Sequence, residues 1–420
     1  MPATDHWVSS LNQYQQQLAT RVKNLPVLPA VLVELNRLFA SGDASVAAVA
    51  SLIKKDAALA IRLLRVVNSP FYGQQNPVTD ITQAAVLLGV DEIANMARCL
   101  SMIDTTSSMK AWQVLDASSY WRSCLASSAI AKVIAQKLNF KVSPDFTACL
   151  HNIGICVLAD SFPEAYAEVL GANYQLEQAE LETFGFNNQY AKAAILSHWQ
   201  IDIDAVSVVD NKVIDSKVTN DDAKTLAAIV AVANRLADIM ACAPCSRFVR
   251  LENPYQDLAA VGIALQDNDA FIAELGAAAR AGAYNASKSA DPTQVELHEL
   301  ADAVSDNAVM ARFYLSVHDA ELTQVLQFFI SCWGFDIIDN AEQAEFIIST
   351  NNCAMEKGLE SHRVINIDNA VIACDDSADS HNAINWAVNW TTINSILVAH
   401  LRKHYQFPSA IQSNTQPHAG

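Results

Sequence analysis

Apolar residues recur at helical spacing over most of the first 280 residues, in short stretches separated by residues that can cap helices. Ser45 or Asp43 can cap a helix whose valine, leucine and isoleucine residues form one stripe. Asp56 can cap the next helix, which must end near Asn68 because a proline follows at position 70. The pattern predicts a bundle of short, tightly connected helices.

The pattern changes after a run of small and polar residues at 281–292, which is typical of a linker. Short β-branched or aromatic runs then predict strands at 312–317, 335–339, 344–350, 363–368 and 370–374. One helix is predicted between the first two strands, and a longer one from about residue 382 to residue 404. Strands that alternate with helices favour a parallel α/β sheet. The chain is therefore predicted to be mainly α, with a helical domain at 1–285, a linker and connecting helix at 286–305, and a smaller α/β domain at 306–420.

Composition narrows the classes of partner. Half of the 420 residues are hydrophobic and 17% are charged, which is typical of a globular protein. The formal net charge of −18 argues against binding to nucleic acid or to an anionic membrane. No apolar run reaches the roughly 20 residues of a membrane span, and the N-terminus lacks the order of a secretory signal. The nine cysteines are scattered in apolar patterns, and the spacing of Cys242 and Cys245 has no second pair to make a zinc site. We therefore expect a cytoplasmic protein.

Three blocks in the first hundred residues resemble the HDOD family, whose domains belong to bacterial signalling proteins and are related to the HD phosphohydrolases. They are LPVLPAVLVELNRLF at 25–39, DASVAAVASLIKKDAALAIRLLRVVNSPFYG at 43–73, and ITQAAVLLGVDEIANM at 81–96. The resemblance covers roughly residues 20–280 and implies an all-helical, HD-like domain. By the order of its elements alone, the C-terminal segment resembles a degenerate response-regulator receiver.

The resemblance also implies where a metal site would lie. Active relatives hold one or two divalent metals with histidines and aspartates, which lower the pKa of a bound water. Aligned with that pattern, Ser123 stands in place of an early histidine, and the His-Asp pair is His151–Asn152. The position of the third metal ligand falls around Asn187 or Asn188, and that of the fourth falls near Asp210 or Asn211. Asn234 stands where the family has its last aspartate. A neutral amide binds cations far more weakly than a carboxylate, so we expect no metal, no cofactor and no hydrolysis by this route.

Three interpretations of His151 remain open. It is a core histidine satisfied by neighbours such as Asn152 or Asn234, or part of a vestigial pocket for a small ligand, or a ligand of a working metal centre. We favour the first. The candidates for the vestigial pocket are Ser123, His151, Asn152, Asn188, His198 and Asn234. His400 and His404 lie one helical turn apart, and we interpret them as favourable charges at a helix end.

The sequence thus predicts a non-catalytic signal-transduction protein that serves as a platform for protein–protein interaction. The resemblance implies sensor kinases, receivers or cyclic-di-GMP enzymes as partners, and it leaves self-association open. The alternatives are a metal-dependent phosphohydrolase of a nucleotide or cyclic dinucleotide, and a sensor that binds a nucleotide in the remnant pocket.

Overall fold

The structure is a computed structural model, and its description covers 15 stretches of the chain. These are residues 12–68, 76–171, 176–201, 221–240, 249–250, 253–264, 269–290, 311–317, 319–332, 335–350, 364–368, 371–374, 385–388, 392–393 and 396–397. Several residues discussed above therefore lie outside the described part: most of the NSPFYG motif, Asp210 with Asn211, Cys242 with Cys245, and His400 with His404.

Helices make up nearly all of the described chain before residue 291, as the pattern predicts. They are α1 (Gln13–Arg21), α2 (Ala30–Ala40), α3 (Val46–Lys54), α4 (Ala57–Val67), α5 (Ile81–Leu88), α6 (Val90–Thr106), α7 (Ala117–Lys137), α8 (Asp145–Cys149), α9 (Ile153–Ser161), α10 (Pro163–Gly171), α11 (Leu176–Phe184), α12 (Asn188–His198), α13 (Asp221–Ile239), α14 (Pro254–Ala260) and α15 (Asp269–Ala290). A further helix, α16 (Ala320–Cys332), lies in the C-terminal part. In the described part of the chain, each helix is too short or too polar to cross a lipid bilayer.

The predicted caps begin the helices where the sequence places them. The Ser45 hydroxyl accepts a hydrogen bond from the backbone N–H of Ala48 at 3.2 Å, and the Asp56 carboxylate accepts one from Leu59 at 3.0 Å. These side chains satisfy backbone donors that the first turn of a helix leaves without a partner. The second of these helices, α4, ends at Val67, as the following proline requires.

Three groups of buried apolar residues hold the elements together. One lies among α2–α6, a second joins α1 with the central helices α6–α12, and the third lies on α7, α13 and α15. The third also contains side chains of α16 and of the C-terminal strands, including Phe313, Phe329 and Ile348. The helical and C-terminal parts therefore share one apolar core.

The C-terminal part contains the predicted parallel sheet. Its strands are β2 (Arg312–Ser316), β3 (Asp336–Ile337), β4 (Phe346–Ser349) and β5 (Val364–Asn366), in the spatial order β3-β2-β4-β5 with parallel neighbours. This is the order of the first four strands in flavodoxin-like folds, to which receivers belong. Helix α16 connects β2 to β3, whereas a turn at 341–343 connects β3 to β4 where a doubly wound sheet has a helix.

The remaining strands form a second, antiparallel sheet in the order β1-β7-β6: β1 (Val249–Arg250), β6 (Val371–Cys374) and β7 (Asn385–Val388). The predicted helix from 382 to 404 is therefore wrong at its start, because residues 385–388 pair with β6. The apolar spacing there fits a helix, and pairing with a neighbouring strand overrides that weak local preference. The linker pattern at 281–292 is wrong up to residue 290, which is the end of α15. The predicted domain boundaries stay a prediction.

Candidate functional site

His151 and Asn152 lie in the break between two helices rather than within one apolar helix. Helix α8 ends at Cys149 and α9 begins at Ile153, and the residues between them form a turn. Leu150 and Asn152 have ψ angles of −4° and 8°, in the sparsely populated region between helix and strand. The polar pair therefore sits where backbone groups of two helix ends come together, although both side chains are buried.

Helix α13 brings Asn234 to this turn. The Asn152 amide Nδ2 donates a hydrogen bond of 2.9 Å to Asn234 Oδ1, and these two side chains are 5% and 9% exposed. Helix α7 packs against both α8 and α13 and carries Ser123, which is completely buried. Among the described residues, no hydrogen-bond partner reaches the Ser123 hydroxyl. The structure thus joins two of the predicted residues directly, beside the buried His151.

Asn188 lies near the same turn, but its side chain is engaged elsewhere. Helix α12 approaches α9 so closely that a Cβ atom on Gly154 would lie 1.8 Å from the Asn188 carbonyl oxygen. Both the backbone N–H and the amide Nδ2 of Asn188 donate hydrogen bonds of 2.7 Å to Glu180 Oε2. The amide of Asn188 is therefore used by Glu180 and does not face a ligand beside His151.

His198, a predicted member of the vestigial pocket, lies at the surface, and its part in a pocket stays a prediction. His198 is the last residue of α12 and is exposed. Ten residues of helix separate it from Asn188, which corresponds to about 15 Å. A helix end of this kind favours a cationic side chain on the surface. Neighbouring Asn187 also has a structural role, because its side chain caps α12 by accepting from the N–H of Gln189.

Several buried ionisable residues escape the sequence analysis. Glu180 is fully buried and accepts a third hydrogen bond from the Tyr166 hydroxyl at 2.7 Å; burial raises its pKa to about 7. Asp145 and Asp238 are each 7% exposed, and burial raises the pKa of Asp145 to about 6. Asp238 lies one helical turn beyond Asn234 on α13. The pattern gives little warning of the first two, since an acid near the start of a helix or in a polar stretch ordinarily faces solvent.

The donor set around His151 does not fit a catalytic divalent metal. It offers one imidazole, two amides and a hydroxyl, and the Asn234 oxygen already accepts the Asn152 amide hydrogen. Catalytic zinc sites use three charged or imidazole ligands, and magnesium sites require carboxylates. Across the described ranges, no cluster of three histidine, cysteine, aspartate or glutamate residues is close enough to hold a metal.

Comparison with known proteins agrees with this fold. Over 196 residues, the chain is 24% identical to an uncharacterized protein of Treponema pallidum (strain Nichols), a match that covers 44% of this chain and 36% of that protein. The chain thus spans about a third of the length of this curated relative. Among solved structures, it resembles an HDOD domain protein of unknown function from Geobacter sulfurreducens, with a TM-score of 0.53 and 19% identity over 67% of this chain and 95% of the other.

A second similar structure is a protein of Marinobacter aquaeolei VT8 that is provisionally assigned to signal transduction, with a TM-score of 0.50 and 18% identity over 66% of this chain and 67% of that one. At such identities these structures show the fold alone. The sequence model of the HDOD domain matches residues 25–213, which include α2–α12 and the His151–Asn152 turn. This chain therefore carries an HDOD domain at residues 25–213.

Proposed function

We propose that this protein is a non-catalytic signalling protein whose HDOD domain is a rigid platform for binding other proteins. The hydrogen bond between Asn152 and Asn234 carries the proposal. In the metal-dependent relatives that the resemblance implies, these two positions hold carboxylates. Here two amides bind each other in the same buried place and remove the negative charge that a metal needs. An asparagine pair can satisfy itself without a cation, whereas two buried carboxylates would repel each other.

Three further observations support this proposal. A similar fold occurs in the Marinobacter protein provisionally assigned to signal transduction. The helical domain exposes large apolar side chains that could contact a partner: Ile61 on α4, and Val86 and Leu87 on α5, are 54%, 69% and 53% exposed. The cysteines Cys99, Cys124, Cys149 and Cys156 are buried free thiols, which favours a cytoplasmic protein. Burial raises the pKa of Cys124 and Cys156, and a hydrogen bond with Cys99 together with burial raises that of Cys149. Sensor kinases, receivers and cyclic-di-GMP enzymes remain the expected partners.

The test combines metal analysis with partner capture. We expect purified full-length protein to contain no stoichiometric divalent metal and to leave phosphodiester substrates intact in Mn²⁺ or Mg²⁺. When the wild-type protein is used as bait in a lysate of its own cell, it should retain signalling proteins. The Leu87→Ser variant should lose them. Val142→Ser is the matched control, since Val142 is 42% exposed on the loop before α8.

The variant His151→Ala separates the proposal from its main alternative. We expect it to lower the thermal stability and to keep the captured partners, because the side chain is 7% exposed and lies in the interior. Loss of the partners at unchanged stability would contradict a core role. A stoichiometric metal in the wild type that disappears in His151→Ala would contradict the proposal and favour the metal-dependent alternative.

A further inference from the structure

A cavity lies apart from the His151 turn, between helices α4, α6, α7 and α15 and the start of α8. Its volume is about 270 Å³. Much of its wall is apolar and comes from several helices, with Val66, Met96, Leu125 and Val133 among the lining residues. The small residues Ala278 and Ala281 of α15 lie on one side of the cavity. Such a wall suits the apolar body of a small molecule.

The polar part of the cavity wall is organised around Asp145. Asn95 Nδ2 donates to Asp145 Oδ2 at 3.2 Å and to the Ser143 hydroxyl at 2.9 Å. Arg98 Nη1 donates to Asn95 Oδ1 at 3.0 Å, and its guanidinium lies 4.3 Å from the centre of the Phe39 ring. These contacts fix the amide of Asn95, so that it presents its hydrogens to the carboxylate. One oxygen of Asp145 is thereby satisfied.

The other oxygen of Asp145 is the unusual feature. Asp145 is 7% exposed, it lines the cavity, and Oδ1 has no hydrogen-bond partner among the described residues. Buried polar atoms of native proteins are satisfied in the large majority of cases, and an exception calls for an explanation such as a missing ligand. An oxygen of a carboxylate accepts hydrogen bonds, so the missing group is a donor.

The charges around the cavity indicate which donor. Lys132 forms an ion pair with Glu92, and both residues line the cavity with Asp145. The lysine is therefore engaged by Glu92. The other cation nearby, Arg98, donates to Asn95, and no hydrogen bond reaches Asp145 Oδ1. A cationic donor would supply the missing hydrogen bond, whereas an anion would face two carboxylates. The net charge of −18 on the chain also favours a cationic ligand over an anionic one.

We propose that this cavity binds a small molecule with a cationic amine head, which donates to Asp145, and an apolar body, which lies among the helices. A cavity of about 150 Å³ accommodates benzene, so this one has room for a ring and a short chain, or about ten non-hydrogen atoms. The site adds a chemical input to the proposed signalling platform, and it does not depend on the absence of catalysis at His151.

Three probes of similar size test the proposal by titration calorimetry with the full chain: 2-phenylethylamine, 2-phenylethanol and 3-phenylpropionate. We expect the amine to bind with a Kd of the order of 1 mM, which is usual for a ligand of this size. The neutral and anionic probes should bind at least tenfold more weakly. No binding of the amine up to about 20 mM, or equal binding of the three probes, would overturn the proposal.

Variants of the cavity complete the test. Asp145→Asn keeps the shape of the side chain and should weaken amine binding at least tenfold, while Glu164→Gln, an exposed acid on α10, should leave it unchanged. Ala129→Leu should block the amine by filling the cavity, with the helical content of each variant checked by circular dichroism. Amine binding within twofold of wild type in both cavity variants would refute the site.

The pH dependence gives an independent readout. Burial, together with the charge of Glu92, raises the pKa of Asp145 to about 6, against the lowering effects of Lys132, Ser143 and Asn95. Amine binding should therefore weaken between pH 7.5 and pH 5, as the carboxylate takes up a proton and the alkylammonium stays charged. The Asp145→Asn variant should show no such change. The same pH dependence in that variant would assign the effect to Glu92 and contradict the role of Asp145.

Discussion

The substitution Asn152→Asp reverses the amide exchange at the His151 turn and tests whether this place excludes charge. The new side chain has the same shape, but it presents an oxygen in place of the Nδ2 that now lies 2.9 Å from Asn234 Oδ1. At low pH the protonated carboxyl can donate its O–H to that oxygen and restore the hydrogen bond. At high pH two oxygens face each other, and a charge is buried at a position that is 5% exposed.

Two native acids of this protein calibrate the expected effect. Burial raises the pKa of Asp145 from 3.8 to about 6, and that of Glu180 from 4.5 to about 7, although each accepts hydrogen bonds. A comparable rise in the variant is worth about 3 kcal/mol, since each whole step in pKa corresponds to about 1.4 kcal/mol. When the pKa of a carboxyl group is higher in the folded state, the loss of stability is absent below its pKa in the unfolded state, which is about 4. The loss is complete above its pKa in the folded state. The variant should therefore match the wild type near pH 4 and lose about 3 kcal/mol at pH 7.5.

Urea unfolding at pH 4 and at pH 7.5 measures this difference directly. The matched control is Asn340→Asp, which introduces the same charge at an exposed position. There the Oδ1 atom accepts a hydrogen bond of 2.9 Å from the N–H of Glu342, and a carboxylate oxygen can accept it equally well. If Asn152→Asp unfolds at the same urea concentration as this control at pH 7.5, the turn does not exclude charge and the argument against a metal fails.

Two further predictions concern the packing around the site. The raised pKa of Glu180 makes the wild type most stable below about pH 4.5 and progressively less stable up to about pH 7, by roughly 3 kcal/mol in total. Glu180→Gln should remove this pH dependence. The urea midpoints at about pH 4.5 and about pH 8 should therefore differ less in the variant than in the wild type. Gly276→Ala should lower the free energy of unfolding by about 3 kcal/mol, because the new Cβ would lie 1.9 Å from the Cys332 carbonyl oxygen. The control Gly171→Ala has open space around the new Cβ and should change it by no more than about 0.5 kcal/mol. Equal thermal midpoints for the two variants would contradict the close packing of α15 on α16.

The helices of the HDOD domain could be predicted from the sequence, because local signals mark where they begin. Ser45 and Asp56 cap helices because their side chains satisfy backbone donors one turn away, and that geometry needs no distant partner. The short strands of the parallel sheet were predictable for a similar reason, since β-branched runs between turn residues suit buried strands. The region around 385–388 could not be predicted in this way, because its strand depends on pairing with β1 and β6, which lie elsewhere in the chain.

The candidate site was less accessible to sequence analysis than the fold. Asn152 and Asn234 lie 82 positions apart, and only the resemblance to the metal-dependent relatives brought them together before the structure did. His198 was included because its residue type suits a ligand pocket, yet the length of α12 carries it to the surface. Asp145 follows a proline at the start of a helix, where an acid ordinarily faces solvent. Its burial depends on α6 and α7 packing over it, which no local pattern encodes.

Helix α15 connects the inferred ligand site to the C-terminal part of the chain. One part of its surface, with Ala278 and Ala281, borders the cavity, and another contacts α16, where Arg280 Nη1 donates to the Cys332 carbonyl at 2.6 Å. The close approach at Gly276 leaves no room for α15 to move toward α16. A ligand that changes the position of α15 must therefore also act on the packing of α16, and linkage requires that the packing of α16 act equally on the affinity for the ligand. The shared core provides the physical connection through which a chemical signal in the helical domain could reach the C-terminal sheet.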